Sequence, residues 1–301
     1  MKARHEEIVG KYMYVTVQGI EYRIYYEEAG QGIPLVLGHT AGSDGREWHW
    51  LMNDADVTKN FRLIAFDLPY HGKSLPPFGH KWWEEKYSAD AQFMMDWPNA
   101  IADALELENP IYMGMSMGGH LAIDLALFYP KKWSATIGIE GALRTNDEYA
   151  AAVDGNGMEQ VDWEFDHPMI SRNELGAAML LNMAPQSPEE CVKECMWTYM
   201  QGGPGIFAGD LVYYNGTAEG SHNLTVEQVK QIDVKECMLY LLTGEYDPNT
   251  SPADTQKVAD NVEGCYFMPM KGLGHFGAIE NYPKFKEYLM PVLEDILAKA
   301  K

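Results

Sequence analysis

The ten residues Pro110-Ile111-Tyr112-Met113-Gly114-Met115-Ser116-Met117-Gly118-Gly119 constrain this chain more than any other stretch. A short apolar run of strand formers stops at Gly114, and a helical pattern through His120, Leu121, Ala122, Ile123, Leu125 and Ala126 begins directly after Gly119. The order is strand, sharp turn, helix, and the turn reads G-x-S-x-G. A serine on such an elbow takes a strained backbone conformation, tolerable only where the residues two before and two after carry no side chain that would collide. That geometry pushes the hydroxyl out of the sheet top and points the N–H groups of the helix's first turn at whatever the hydroxyl attacks. The pentapeptide alone also occurs by chance in plain βα turns. Its position between a buried-type strand and a helix makes Ser116 a candidate nucleophile, and the rest of the chain must then supply a base, an acid and a second oxyanion donor.

The pattern along the chain is that of an α/β protein. Residues 11–29 alternate on either side of Gln18-Gly19, the signature of an antiparallel hairpin. Apolar runs at 34–38, 62–66, 110–114, 134–139, 238–242 and 265–268 alternate with helical patterns at 48–52, 88–107 (bent at Pro98), 120–129, 251–262 and 283–300. Buried-type strands alternating with helices predict a mostly parallel sheet covered on both faces, with ligands at the carboxyl ends of the strands. The alternation stops for about ninety residues, so the chain divides into a core domain, 1–142 and 233–301, and an inserted segment, 143–232. The insert holds fourteen acids against four bases and is crowded with Trp163, Phe165, Met169, Met179, Met183, Trp197, Phe207, Tyr213 and Tyr214. Helical spacing is expected over 172–183 and 188–200, the second opened by Ser187-Pro188-Glu189-Glu190. The insert reads both as a small helical subdomain with its own core and as a cap lending the site an apolar pocket.

A serine hydroxyl is a poor nucleophile at neutral pH and needs a base within hydrogen-bond reach, itself oriented by a third group. His275 stands out for that role: Gly272-Leu273-Gly274-His275-Phe276-Gly277 is a glycine-flanked loop directly after the last strand. His120, His222, His167, His5, His49 and His80 are read as structural or surface residues. Asp247, in Thr243-Gly244-Glu245-Tyr246-Asp247-Pro248, follows a strand and precedes a helix, which makes it the orienting acid. Glu140, at the end of the strand after the nucleophile, is the alternative acid; Asp67 is read as a loop residue and Glu245 as a solvated neighbour. Charge on a tetrahedral intermediate calls for two preorganised N–H donors. Met117 offers one, and the loop after Val36-Leu37-Gly38 offers the other through Ala41, with Thr40 as the alternative.

Composition narrows the partners. With 23 basic and 44 acidic residues, the formal charge of -21 disfavours phosphate backbones and anionic lipids, so neither nucleic acid nor a membrane is expected. No apolar run long enough to span a bilayer occurs, and the N-terminus lacks a signal-like apolar stretch, which reads as cytoplasmic unless a leader was removed. Cys191, Cys195, Cys237 and Cys265 lie in apolar surroundings without C-x-x-C, as buried free thiols in a reducing compartment would. No metal-binding H-E-x-x-H and no phosphate-cradling G-x-x-x-x-G-K-[ST] is present, so no metal and no cofactor is expected.

Over roughly residues 11–300 the chain resembles the α/β-hydrolase family. The resemblance rests on G-M-S-M-G-G, the order Ser116, Asp247, His275, the glycine-bracketed histidine, Asp67-Leu68-Pro69-Tyr70-His71-Gly72-Lys73-Ser74 against the family's D-x-P-G-x-G-x-S, and a cap after the sixth strand. It implies the family's fold and a cofactor-free Ser-His-Asp mechanism with those three residues in those roles. Two positions depart: His39-Thr40-Ala41 replaces the usual His-Gly-x, and Tyr70 stands where glycine is usual. The first reads as a harmless substitution in an esterase; the alternative is a likeness to hydroxynitrile lyases of this fold, where a threonine helps bind a cyanohydrin hydroxyl. Serine at the elbow speaks against haloalkane dehalogenases and epoxide hydrolases, which use aspartate there. The resulting expectation is a serine hydrolase acting on an ester or lactone of a largely apolar, uncharged small molecule through an acyl-enzyme. The alternatives are a C–C or C–N bond hydrolase or lyase-like enzyme on the same triad, and a non-catalytic small-molecule receptor. Oligomeric state, homodimer included, stays open.

Overall fold

The computed structural model describes residues 3, 5–143, 172–216 and 223–300. Eight strands form one sheet: β1 (Val9–Val17), β2 (Ile20–Gly30), β3 (Ile33–Gly38), β4 (Phe61–Phe66), β5 (Ile111–Met115), β6 (Ala135–Ile139), β7 (Met238–Gly244) and β8 (Tyr266–Met270). Their order is β1-β2-β4-β3-β5-β6-β7-β8. The hairpin around Gln18-Gly19 pairs Val17 with Ile20, β2 meets β4 antiparallel, and every pairing from β4 to β8 is parallel.

The parallel strands are apolar at successive positions because both faces are covered. Leu35, Leu37, Ile111, Met113, Tyr240 and Leu242 point to one layer, packed on the helix Tyr282–Lys299. Val36, Tyr112, Leu239 and Leu241 point to the other, packed on the helices Ala91–Ala104 and Met117–Phe128. Truncating one of these fully buried side chains, Leu241→Ala for instance, costs about 2–5 kcal/mol.

The helix expected over 88–107 runs Ala91–Ala104, because Asp90 caps it by accepting from the Phe93 N–H; Pro98 lies inside it. The expected helix 48–52 is a 3-10 turn, Gly45–Trp48, running into His49–Met52. β8 reaches past its expected end to include Pro269, tolerated because β8 is an edge strand paired only with β7.

Between β6 and β7 the described insert comprises Arg172–Met179, a 3-10 turn Leu180–Asn182, Glu189–Tyr199, Ile206–Tyr214 and the short helix Val226–Val229. The first expected helix therefore splits at Met179, and the helix Ile206–Tyr214 was not anticipated. Trp163, Phe165, Met169, His167 and His222 lie outside the described residues. The insert lies against the carboxyl ends of the strands: Asn182 O accepts from His275 N at 2.7 Å, and Trp50 Nε1 donates to Glu194 at 2.9 Å. Among the described residues no helix is long and apolar enough to cross a membrane. All four cysteines are free; Cys191, Cys195 and Cys237 are buried and Cys265 is half-buried.

Candidate active site

Ser116 sits between β5 and the helix Met117–Phe128 with φ 56° and ψ −114°, in the left-handed half of backbone space that a non-glycine residue occupies only where its surroundings impose it. Those surroundings are tight backbone contacts. A Cβ on Gly114 would meet Gly118 O at 2.3 Å, one on Gly118 would meet Gly38 O at 2.8 Å, and one on Gly119 would meet Ile139 O at 2.1 Å. The elbow thus needs a third glycine, Gly119, besides the two of the motif. Ser116 N donates to Ile139 O at 2.8 Å, tying the turn to β6.

The structure brings Ser116, His275 and Asp247 together. His275 Nε2 lies 2.7 Å from Ser116 Oγ, and His275 Nδ1 lies 2.7 Å from Asp247 Oδ2. All three are buried, and Asp247 Oδ1 is fixed by the N–H groups of Asn249 and Thr250 at 2.8 and 3.0 Å. Burial by itself would push the Asp247 carboxyl up; the facing His275, a hydrogen bond from Glu140 and the Thr250 N–H outweigh it and hold the group below the usual carboxylate range. With the carboxylate on Nδ1, the imidazole keeps its proton there and leaves Nε2 as acceptor for the serine.

Glu140 lies behind this chain rather than in it. It is fully buried at φ 58°, and its oxygens accept from Gly244 N at 3.0 and 3.1 Å. Burial first, and then the negative Asp247 beside it, raise its pKa well above the ordinary value, which favours the neutral acid as the hydrogen-bond donor to Asp247. Glu280 supports the histidine loop from the other side, accepting from Gly274 N, and burial pushes it up to about 7.

The oxyanion loop is held by groups that motif reading passed over. Thr40 N donates to Glu47 Oε2 at 2.9 Å, and the Thr40 hydroxyl donates to Glu47 Oε1 and meets the Tyr199 hydroxyl of the insert. The Thr40 amide, the alternative oxyanion donor, is therefore already engaged, and so is its hydroxyl. Neither the Ala41 nor the Met117 N–H has an acceptor among the described residues, which leaves these two amides open. Glu47 has no surface exposure, and burial raises its carboxyl to about 7 against the pull of its Thr40 hydrogen bonds. Asp210, on the insert, accepts from Gly42 N on the far side of Ala41 at 2.7 Å. Glu47 had no motif to announce it. Asp210 had a weak signal, being the single charge in the apolar helix Ile206–Tyr214. Among the described residues no group of three or more His, Cys, Asp or Glu side chains is placed to hold a metal.

An elbow serine, a loop histidine and a strand-end aspartate thus stand in hydrogen-bonded series at the carboxyl ends of the strands of an α/β sheet. The model of the alpha/beta hydrolase fold family matches residues 33–193, and the chain belongs to that family. It is 31% identical over 132 residues to the 2-hydroxy-6-oxononadienedioate/2-hydroxy-6-oxononatrienedioate hydrolase of Paraburkholderia phymatum, a match covering 42% of this chain and 43% of that protein. The chain thus aligns with about two fifths of the length of such relatives. Among solved structures, a thermophilic esterase from Thermogutta terrifontis superposes with a TM-score of 0.76 at 18% identity, over 95% of this chain and 99% of that one. The enol-lactonase from Burkholderia xenovorans superposes at 0.71 and 18%, over 95% and 100%. At these identities the superpositions speak for the fold alone.

Proposed function

We propose that the chain is a serine hydrolase that cleaves a carboxylic ester or lactone of a largely apolar, uncharged small molecule through an acyl-enzyme. The observation that carries this reading is the unbroken series Ser116 Oγ, His275 Nε2, His275 Nδ1, Asp247 Oδ2, with 2.7 Å at each polar contact, next to two open amides. Ser116 Oγ attacks the acyl carbon while His275 Nε2 takes its proton. The carbonyl oxygen gains the negative charge and is stabilised by the Met117 and Ala41 N–H groups. As the C–O bond to the alcohol breaks, His275 returns the proton to the leaving oxygen, and Asp247 stabilises the intermediate imidazolium. A water deprotonated by His275 then attacks the acyl carbon, releasing the acid and restoring the serine. The insert acts as a cap, and its fourteen acids against four bases disfavour anionic substrates.

A second reading is favoured by the Paraburkholderia phymatum relative, whose named substrate carries no ester, so that its hydrolysis breaks a carbon–carbon bond. The same triad serves that reaction, with the ketone carbon attacked and a carbanion as leaving group. That substrate is a dianion, which fits poorly with the charge of this chain. The lyase-like alternative loses ground because the Thr40 hydroxyl is engaged by Glu47 and Tyr199. A panel of p-nitrophenyl esters of graded chain length, lactones and vinylogous 1,5-diketones, run on wild type and Ser116→Ala, separates the readings. Turnover of an ester or lactone, reduced about 10⁴-fold or more in the variant, is the expected result. Ester turnover that survives Ser116→Ala would overturn the assignment, and turnover of the diketones alone would favour the second reading.

A further inference from the structure

The loop carrying the open Ala41 amide is not held by the core alone. Its two flanking residues are each gripped by a side chain of the insert: Thr40 by Tyr199 and Gly42 by Asp210. The second grip is the more elaborate. Asp210 is fully buried, and its Oδ2 accepts from Gly42 N at 2.7 Å and faces His71 Nε2 at 2.8 Å, while its Oδ1 accepts from the Tyr87 hydroxyl at 2.9 Å. His71 is also fully enclosed, and its Nδ1 lies 2.9 Å from Pro69 O. An acceptor stands at each ring nitrogen, Asp210 Oδ2 and Pro69 O, and this placing favours the doubly donating imidazolium form of His71. Burial alone would lower its pKa, but Asp210 and the Pro69 carbonyl reverse the sign and raise it. The neighbouring His39, 4.8 Å away ring to ring, goes the other way: burial and the charge on His71 lower it to about 4, and it stays neutral. Its Nδ1–H donates to Thr40 O at 2.7 Å and its Nε2 accepts from Leu68 N at 3.1 Å, fixing the start of the same loop.

The packing around the carboxylate leaves little slack. Gly42 has φ 70°, and a Cβ there would meet the Phe207 Cβ at 2.9 Å, so the helix Ile206–Tyr214 lies directly against the loop. On its other side Gly209 O accepts from Ala89 N at 3.1 Å, and a Cβ on Gly209 would meet Tyr87 O at 2.4 Å. One turn of an inserted helix is thus wedged between the loop after β3 and the segment 87–89, with the Asp210 carboxylate and the Gly209 carbonyl as its polar anchors. A buried carboxylate with a charged partner and two neutral donors is strongly directional, because any shift leaves a desolvated charge short of a partner.

We propose that Asp210 is a positioning residue for the reaction of Ser116: by holding Gly42 N against the His71–Tyr87 pair, it fixes the peptide unit that follows Ala41 while His39 holds Thr40 O in the unit before it, so the Ala41 N–H is clamped from both sides and the oxyanion hole is complete only when the insert is docked. The insert is then part of the transition-state machinery as well as a wall of the substrate pocket. Tyr199, through the Thr40 hydroxyl, is the second and weaker half of the same device, since Glu47 already holds Thr40 from the core.

This inference rests on the ester-hydrolase reading of the site, and the experiment separates the two. Hydrolysis of p-nitrophenyl acetate and inhibition by phenylboronic acid are measured on wild type, Ser116→Ala, Asp210→Asn and Tyr199→Phe. In the boronate adduct a bond forms from Ser116 Oγ to boron, the serine proton passes to His275, and a boron-bound oxygen occupies the oxyanion position. Losing a whole oxyanion donor costs about 10²–10³-fold in kcat, so a misaimed one is expected to cost about 10- to 100-fold in Asp210→Asn. That loss should fall on kcat with KM nearly unchanged, and the boronate Ki should rise by the same factor. Tyr199→Phe should show the same pattern at about 3- to 10-fold. A merely structural role would lower the melting temperature without moving kcat and Ki together. A folded Asp210→Asn enzyme with wild-type kcat and Ki overturns the proposal. Should that variant fail to fold, an unchanged boronate affinity in Tyr199→Phe overturns it instead. If wild type binds the boronate no better than Ser116→Ala does, the reading of the site itself fails and this inference falls with it.

Discussion

Two carboxyl groups lie at the back of His275, and removing each in turn distinguishes the acid that works from the one that supports it. Asp247 faces His275 Nδ1 at 2.7 Å and is held below the usual carboxylate range, whereas Glu140 is pushed well above it, which favours it as the donor to Asp247, and it accepts from Gly244 N at 3.0 and 3.1 Å. Glutamine reproduces a neutral acid, with an N–H for Asp247 and a carbonyl for Gly244, so Glu140→Gln should keep kcat for p-nitrophenyl acetate within about threefold. Glu140→Ala removes a hydrogen bond to a charged acceptor, worth about 1.5–3 kcal/mol. If all of that loss is expressed in the transition state, kcat falls about 10- to 150-fold. Asp247→Asn should be worse by far, because the amide no longer enforces the Nδ1–H tautomer of His275; the loss known for this change in a Ser-His-Asp triad is about 10⁴-fold. Steady-state rates at neutral pH, with melting temperatures as a folding check, give all three numbers. The reasoning fails if Glu140→Gln is as damaged as Asp247→Asn, since a charge on Glu140 would then be what the histidine needs.

Two further outcomes follow from buried groups. Glu47 keeps its proton up to about pH 7 in the folded chain against an ordinary value of 4.5, so the fold loses about 3 kcal/mol from this residue as pH rises through that window. Below the window both states hold the proton and nothing is lost. Wild type should therefore melt lower at pH 8 than at pH 5, and Glu47→Gln should flatten that slope in differential scanning calorimetry; an unchanged slope would show that Glu47 does not carry it. Gly119→Ala puts a Cβ 2.1 Å from Ile139 O, a backbone atom at the end of β6, and 3.1 Å from Gly141 N just beyond it. A cost of about 3 kcal/mol or more, or roughly 6–12 °C in melting temperature, is expected, and a shift under 2 °C would contradict the contact.

The sheet was legible because its strands are short apolar runs with punctuating turns, and because the elbow glycines leave a local signature around Ser116. His275 and Asp247 were legible for the same reason: each follows a strand, and a strand end in a parallel sheet has one place to go. Glu140 was correctly placed at that rim, but only its burial against Asp247 makes it a neutral partner. Asp210, His71, Tyr199 and Glu47 were not legible. Each acts through a residue more than twenty positions away or inside a structural turn, and no periodicity reports which side chains a folded insert will press against the loop after β3. Thr40 shows the same limit in reverse, since its departure from glycine was visible while the carboxylate that engages its amide was not.

The central claim is that Ser116 is a nucleophile activated by His275. Labelling with a fluorophosphonate followed by peptide mapping tests it without knowledge of the substrate. The expected result is one modification, on Ser116, absent from Ser116→Ala and slowed by about 10³-fold or more in His275→Ala. A folded wild-type chain whose Ser116 stays unmodified, or is modified equally fast without His275, would contradict it.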